Sequence, residues 1–384
     1  MKKNLRNILA VALGLITTVS FAQDWNVDSR TRIDMSSING DDYMSTEQRA
    51  TVGTTWGGSD WGIHISTQVD YTVNDQLEAA TNLSVYEAYA STSLLGFADM
   101  TIGRQALSYG SGAYVSNNDW NTNRNRFDGM TFAINNDFVD LELGLSQRDN
   151  GGLDSAYLGL DASGAPALMN DKDMLNALWL NASKSSGDWS VNLFYADYAI
   201  ESGLEANAMG LDFAYTAMGG SLDIGMSYNT NSRTSPWNPE WVDGMDQDMM
   251  DLSATYNVND GMSITAGRAS YGENGFDDLI GGGHSGWYGT NSWLTHGNIG
   301  HLGKNQENLY VGGSYDMGKF SVGATMHTVT DGSDGADDYE RQATEVSVGY
   351  ALNNNASISY KLVTDNNGGE EDSNYNWITI SVTP

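Results

Sequence analysis

Between Trp25 and Val382 the chain breaks into stretches of about ten residues in which apolar side chains take every second place. The connections between those stretches are alternately short and long. In residues 25–35, Trp25, Val27, Ile33 and Met35 share one face, and Asn26, Asp28, Arg30, Arg32 and Asp34 share the other. Residues 61–72 set Ile63, Ile65 and Val69 against His64, Ser66, Gln68 and Asp70. Residues 139–148 set Val139, Leu141, Leu143 and Leu145 against Asp140, Glu142, Ser146 and Arg148. A period of two is that of a β-strand, and the same rule yields eighteen stretches, the last at 374–383.

A soluble sandwich would also alternate, with its charged face turned outward. Its Greek-key crossings give no reason for short and long connections to alternate. A membrane barrel does, because tight turns lie at one rim and large loops at the other. Hydrocarbon tolerates no unpaired backbone group, so such a sheet closes on itself, and eighteen strands enclose a water-filled interior. The expected fold is therefore all-β: an antiparallel, closed transmembrane β-barrel of about 18 strands. Short turns are expected at the periplasmic rim and long loops outside. Pro166, Pro236 and Pro239 fall in long connections, where no strand ladder loses a donor. Trp25, Trp56, Trp61 and Trp189 fall at stretch ends assigned to the periplasmic side, as an interfacial girdle requires.

Residues 1–22 place Lys2, Lys3 and Arg6 ahead of an apolar run from Ile8 to Val19 and a small-residue site ending at Ala22. This is the pattern of a secretory signal peptide, leaving 23–384 as the barrel. The chain holds 49 acidic against 18 basic residues and no cysteine. Such a balance excludes nucleic acid as a partner, and the missing cysteines exclude disulfides and thiolate metal sites. No cofactor or metal motif is found, and neither G-x-S-x-G nor H-E-x-x-H occurs, so no enzyme is expected. The expected surroundings are outer-membrane lipid and lipopolysaccharide, with small hydrophilic solutes or saccharides inside.

Some positions break the parity. Glu87 shares a face with Leu83, Leu175 competes with Leu178, and Trp377 opposes Ile378, lapses that bulges would explain. Arg104 and Arg268 share parity with apolar Ile102 and Ile264, so either a glycine bulge turns them inward or they lie beyond the hydrocarbon.

The loop between Gly103 and Gly129 separates two strand-like stretches and mixes charge with aromatic rings. It carries Tyr109, Trp120, Arg124, Arg126 and Asp128, and with Arg104 these are candidates for a constriction if the loop folds into the pore. If it stays outside, they are solvated loop residues. Asp28, Arg30, Arg32, Arg49, His64, Asp70, Asp140, Glu142 and Arg148 are expected to line the lumen. Further inward acids by parity are Asp34, Glu47, Asp212, Asp223, Asp251, Glu307 and Glu345; Arg341 and Lys361 are the further bases. In the long connection from Tyr271 to Gln306, His284, Trp287, Tyr288 and Trp293 could touch a solute or simply pack the loop on itself.

Two runs carry a family resemblance. The sequence G-R-Q-A-L-S-Y-G (Gly103 to Gly110), with Trp120 and Phe127 to Gly129, resembles a signature of the alginate export family of outer-membrane barrels. Phe276, Leu279, Ile280, His284, Tyr288 and Gly289 resemble that family's second motif, with Gly281-Gly282 in place of Pro-Thr and one extra residue before Tyr288. The resemblance implies an eighteen-stranded barrel in a Gram-negative outer membrane, exporting a polyanion with a periplasmic secretion complex. A lumen in which acids outnumber bases departs from that family's arginine-rich tube. The reading preferred from the residues is a porin-like channel for passive passage of small hydrophilic solutes, with exopolysaccharide export as the alternative.

Overall fold

The computed structural model describes residues 22–383 apart from 39, 74–80, 121–123, 150–157, 161–165, 169–173, 201–204, 235–245, 277–301, 334–338, 367 and 370. The expected signal peptide therefore lies outside the described residues. Eighteen long strands form the wall: β1 (Ala22–Asp34), β2 (Ser45–Gly57), β3 (Trp61–Thr72), β4 (Asn82–Leu94), β5 (Ala98–Gln105), β6 (Phe127–Ile134), β7 (Asp140–Asp149), β8 (Met174–Ser186) and β9 (Trp189–Ile200) make one half. The other half is β10 (Glu205–Ala217), β11 (Leu222–Thr234), β12 (Gln247–Asn259), β13 (Met262–Tyr271), β14 (Gln306–Asp316), β15 (Phe320–Asp331), β16 (Glu340–Asn353), β17 (Ala356–Asp365) and β18 (Ser373–Val382). Each strand pairs antiparallel with its sequence neighbours, and β1 closes the cylinder on β18 from Ser29↔Val382 to Asp34↔Trp377.

Burial is inverted relative to a water-soluble protein. Ile65 and Leu143 are 44% and 42% exposed, whereas Gln68 and Arg49 are 0% and 4% exposed. A sandwich in water would bury the first pair and expose the second, so the apolar face must meet hydrocarbon. The exposed tryptophans Trp25, Trp61 and Trp189 lie on the outward face near the rim of short turns.

The parity lapses have local causes. Register shifts between Ser66 and Thr67 opposite β4, where Ser66 meets Glu87 and Thr67 meets Val85. The extra residue is Tyr86, which is buried, so Tyr86 and Glu87 both turn inward while Leu83 and Val85 stay exposed. Trp377 needs no bulge, because it is a lumen residue whose indole donates to Asp34 at 3.1 Å. Leu178 faces outward, and the Leu175 side chain lies outside the described residues.

Other expectations need correction. No bulge turns Arg104 or Arg268 inward; both keep outward parity and pair with an acid on the next strand, Asp128 and Glu307. Glu307 is thus removed from the lumen acids. Pro166 opens a two-stranded ribbon, Leu158–Leu160 with Pro166–Leu168, that stands apart from the barrel sheet. The connection after β9 spans only 201–204, so the alternation of connection lengths is not strict. A small extension, Ser37–Ile38 with Asp41–Asp42, continues the β1–β2 hairpin.

Candidate functional site: the loop inside the barrel

β5 and β6 are the shortest wall strands, and the described residues between them, 106–120 and 124–126, lie in the interior of the barrel. Contacts with inward side chains of β1 to β4, β7 to β11, β17 and β18 establish this. The Tyr109 hydroxyl donates to Glu142 of β7 and accepts from the Trp179 indole of β8 at 3.1 Å. The Ser111 amide donates to Asp212 of β10 at 2.9 Å. At the far end, Arg49 of β2 donates to the Asp119 carboxylate at 2.8 Å, and Arg124 donates to Gln68 of β3 at 3.0 Å and Thr51 of β2 at 2.6 Å. Trp120 meets Trp377 of β18 edge to face, with ring centres 5.4 Å apart.

The local sequence permits this path. Gly110 has φ +52°, and a Cβ there would stand 1.9 Å from an Asp212 carboxylate oxygen, so only glycine lets the backbone press against that wall. Gly144 on β7 does the same for Trp179: a Cβ would lie 1.9 Å from the indole. Burial first, and the Glu142 charge second, push the Tyr109 hydroxyl above the ordinary phenol range, so it remains a donor.

The loop divides the lumen into unlike sides. Toward β8, β9 and β13 it makes a dry seal, with Tyr114 against Phe194 and Phe276 and with Ala113 and Val115 buried. Toward β1, β2 and β17 it meets cations. Arg30 donates to the Asp119 carbonyl at 2.6 Å, Arg32 lies 3.9 Å from the centre of the Trp120 ring, and Lys361 lies 5.7 Å from it. Asp119 is shared between Arg49 and Arg124.

Of the constriction candidates, Tyr109, Trp120 and Arg124 come together inside the barrel, and Arg126 is half-buried beside the Arg124 carbonyl at 3.4 Å. Arg104 and Asp128 do not belong there. They form a two-pronged ion pair on the outer face, both contacts 2.7 Å, because β5 and β6 set them opposite each other at an outward register position. Asp28, Arg30, Arg32, Arg49, His64, Asp70, Asp140 and Glu142 occupy inward register positions. His64 lies 3.5 Å from Glu87 and stacks on Tyr89. The Arg148 side chain and all of His284, Trp287, Tyr288 and Trp293 lie outside the described residues.

Sequence reasoning missed Tyr86, Trp179, Phe194 and Trp377 as loop supports. The available signal was a tryptophan on the polar face of a strand, at Trp179 and Trp377, where water alone would not require one. Gln68 and Thr51 gave no signal, since each reads as ordinary polar lining.

A family model described as Gram-negative porin matches residues 9–375. Among solved structures, OccK11 (OpdR) of Pseudomonas aeruginosa is 14% identical, covering 94% of this chain and 95% of that one, with a TM-score of 0.68. OpdK of Pseudomonas aeruginosa, solved with vanillate, is 11% identical over 95% of this chain and 100% of that one, with a TM-score of 0.69. OccAB4 of Acinetobacter baumannii is 12% identical over 94% and 98%, with a TM-score of 0.62. At these identities the likeness is one of fold. No curated protein matches the chain. The family match overturns the resemblance to the alginate export family. The glycines that carried it answer to local geometry: a Cβ at Gly103 or Gly129 would meet a neighbouring strand's carbonyl oxygen at 2.2 or 2.1 Å. Most of the second motif lies in 277–301, outside the described residues.

Proposed function

Because the chain belongs to the Gram-negative porin family and is an outer-membrane channel for small solutes, we propose that its constriction favours small organic carboxylates. The observation carrying this reading is the state of Arg30 and Arg32. Among the described residues one donates to a carbonyl and the other covers an aromatic ring, and Arg30 Nη2 and Arg32 Nε have no hydrogen-bond partner. Neither makes an ion pair among the described residues, although Glu47 stands across the strand pair from Arg32 and Asp119 is close to both.

Several lumen acids, by contrast, are engaged. Glu142 and Asp212 hold the loop, Asp251 accepts from Tyr310 at 3.1 Å, and Glu345 pairs with Lys361 at 2.7 Å. An acidic chain thus carries a locally cationic eyelet, and a narrow passage focuses that field on whatever crosses it. The vanillate in the OpdK structure is a carboxylate of the kind such an eyelet would accept. Passive diffusion needs no periplasmic export partner, and the reading assigns the chain no reaction.

Planar-bilayer recording in a salt gradient tests the proposal. The reversal potential should carry the sign of anion preference with chloride and with acetate. A cation-selective or non-conducting insertion would overturn it.

A further inference from the structure

One stretch of lumen wall, beside Lys361, has a chemistry of its own. On β13 to β16 the inward positions alternate small hydroxyls with glycine. A Cβ at Gly312 would stand 2.5 Å from Thr325 Oγ1, one at Gly323 3.0 Å from Ser347 Oγ, and one at Gly349 2.5 Å from Ser321 Oγ. Each hydroxyl therefore lies across a neighbouring strand's glycine, flat against the wall. The result is a groove lined by Ser263, Thr265, Thr325 and Ser347, with Tyr310 and the Lys361–Glu345 pair along its edge.

Two features separate this groove from ordinary polar lining. Its hydroxyls are linked, Ser263 to Ser314 and Thr255 to Thr265 at 2.8 Å each, so one member of each pair accepts while both keep capacity for a further contact. It also adjoins the cations, since Lys361 faces both Glu345 and the Trp120 ring. A solute held by its carboxylate at the eyelet would extend its body onto this shelf.

We propose that the groove is a second subsite that takes the hydroxylated body of a sugar acid, a uronate or aldonate, whose carboxylate sits between Arg30 and Arg32, next to the Lys361–Glu345 pair. For the carboxylate end it rests on the reading above; the hydroxyl shelf stands on the groove alone. Aromatic and aliphatic acids would use the eyelet and gain nothing from the shelf, because an apolar body cannot replace the hydrogen bonds of the water it displaces.

The test compares block of the ion current by glucuronate and by cyclohexanecarboxylate, each a six-membered ring with one carboxylate. Glucuronate should half-block at a concentration about fivefold lower, the value of one net hydrogen bond. Thr325→Val with Ser347→Ala should abolish that difference. Equal block in the wild type would overturn the shelf, while the acetate reversal potential separately reports on the carboxylate reading. Should the double variant fail to insert, the cysteine-free chain allows a second measurement with Ser321→Cys, at the inward position opposite Gly349 beside the groove and outside its lining. Glucuronate should slow its modification by a charged thiol reagent about fivefold more than cyclohexanecarboxylate does, by the same hydrogen-bond value. Equal rates with both acids would overturn the proposal.

Discussion

The Arg124 guanidinium carbon lies 3.6 Å above the centre of the Tyr86 ring. Tyr86 reaches that position only because the bulge at Tyr86 and Glu87 turns two successive residues of β4 into the lumen. A defect in the wall thus fastens the loop that crosses it. Tyr86→Leu should remove a cation–π contact of about 1–2 kcal/mol and loosen this end of the loop. Single-channel recording should show larger and noisier conductance, and an unchanged trace would count against the bulge as an anchor.

Arg30→Gln combined with Arg32→Gln should shift selectivity toward cations. At about 8 Å in a water-like dielectric one unit charge changes an ion's energy by about 0.5 kcal/mol, a factor of about two for each arginine. Chloride loses what potassium gains, so the chloride-to-potassium permeability ratio should fall about fourfold for each arginine and about sixteenfold for the pair, read from reversal potentials. The effect should shrink as salt rises.

Gly144→Val should strike the Trp179 ring, which a Cβ alone would approach to 1.9 Å. Overpacking of this kind costs about 1–3 kcal/mol. Displacing Trp179 also removes a donor from Tyr109, so the variant should lose stability in urea titration in detergent and open the loop at its β7 end. Gly187→Ala, at a turn where nothing stands within 4 Å, tests a different cost, that of φ +58° alone.

The Tyr109 hydroxyl, raised by burial and by Glu142, keeps its proton in the folded protein where an unfolded tyrosine would lose it. The folded state then binds more protons than the unfolded one above a pH of about 10, the ordinary phenol value. Its contribution to stability is full below that pH and declines as pH rises further. Tyr109→Phe should flatten this alkaline slope in a pH series of unfolding midpoints, and an identical slope in both proteins would exclude Tyr109 as its source.

Asp128→Asn should cost more than replacing both Asp128 and Arg104 by leucine. The single change strands a guanidinium on the outward face, about 2–4 kcal/mol if it lies near the bilayer midplane and less toward the rim. The double change removes both charges. Unfolding in lipid vesicles should rank the two variants in that order.

The wall was readable from period-two alternation because every strand has one face in hydrocarbon and one in water. The stretch 61–72 coincides with β3, and the others differ from their strands mainly at the ends, where alternation fades into loop. The interior was not readable in the same way. Gln68, Thr51, Asp212 and Glu142 hold the loop, yet each lies on a strand where any polar residue would satisfy the pattern, and their partners are far away in sequence. Parity placed Arg104 outward while its charge argued for the lumen, and the Asp128 partner on the adjacent strand resolves that conflict. Counting inward acids against inward bases was likewise a poor guide to local charge, since it could not tell an acid already holding the loop from one facing the passage.

The loop hangs from two adjacent short strands and is tied on either side of them to walls that face each other, to β10 through Ser111 and Asp212 and to β1 and β2 through Asp119, Arg30 and Arg49. It therefore acts as a crossbeam whose span is fixed by the girth of the cylinder, while its bulk is free to vary. Residues added or removed between those ties would resize the aperture without disturbing a single contact with lipid. Sieve and shell can be altered independently in this architecture, so one wall could serve a series of channels differing only in what they admit.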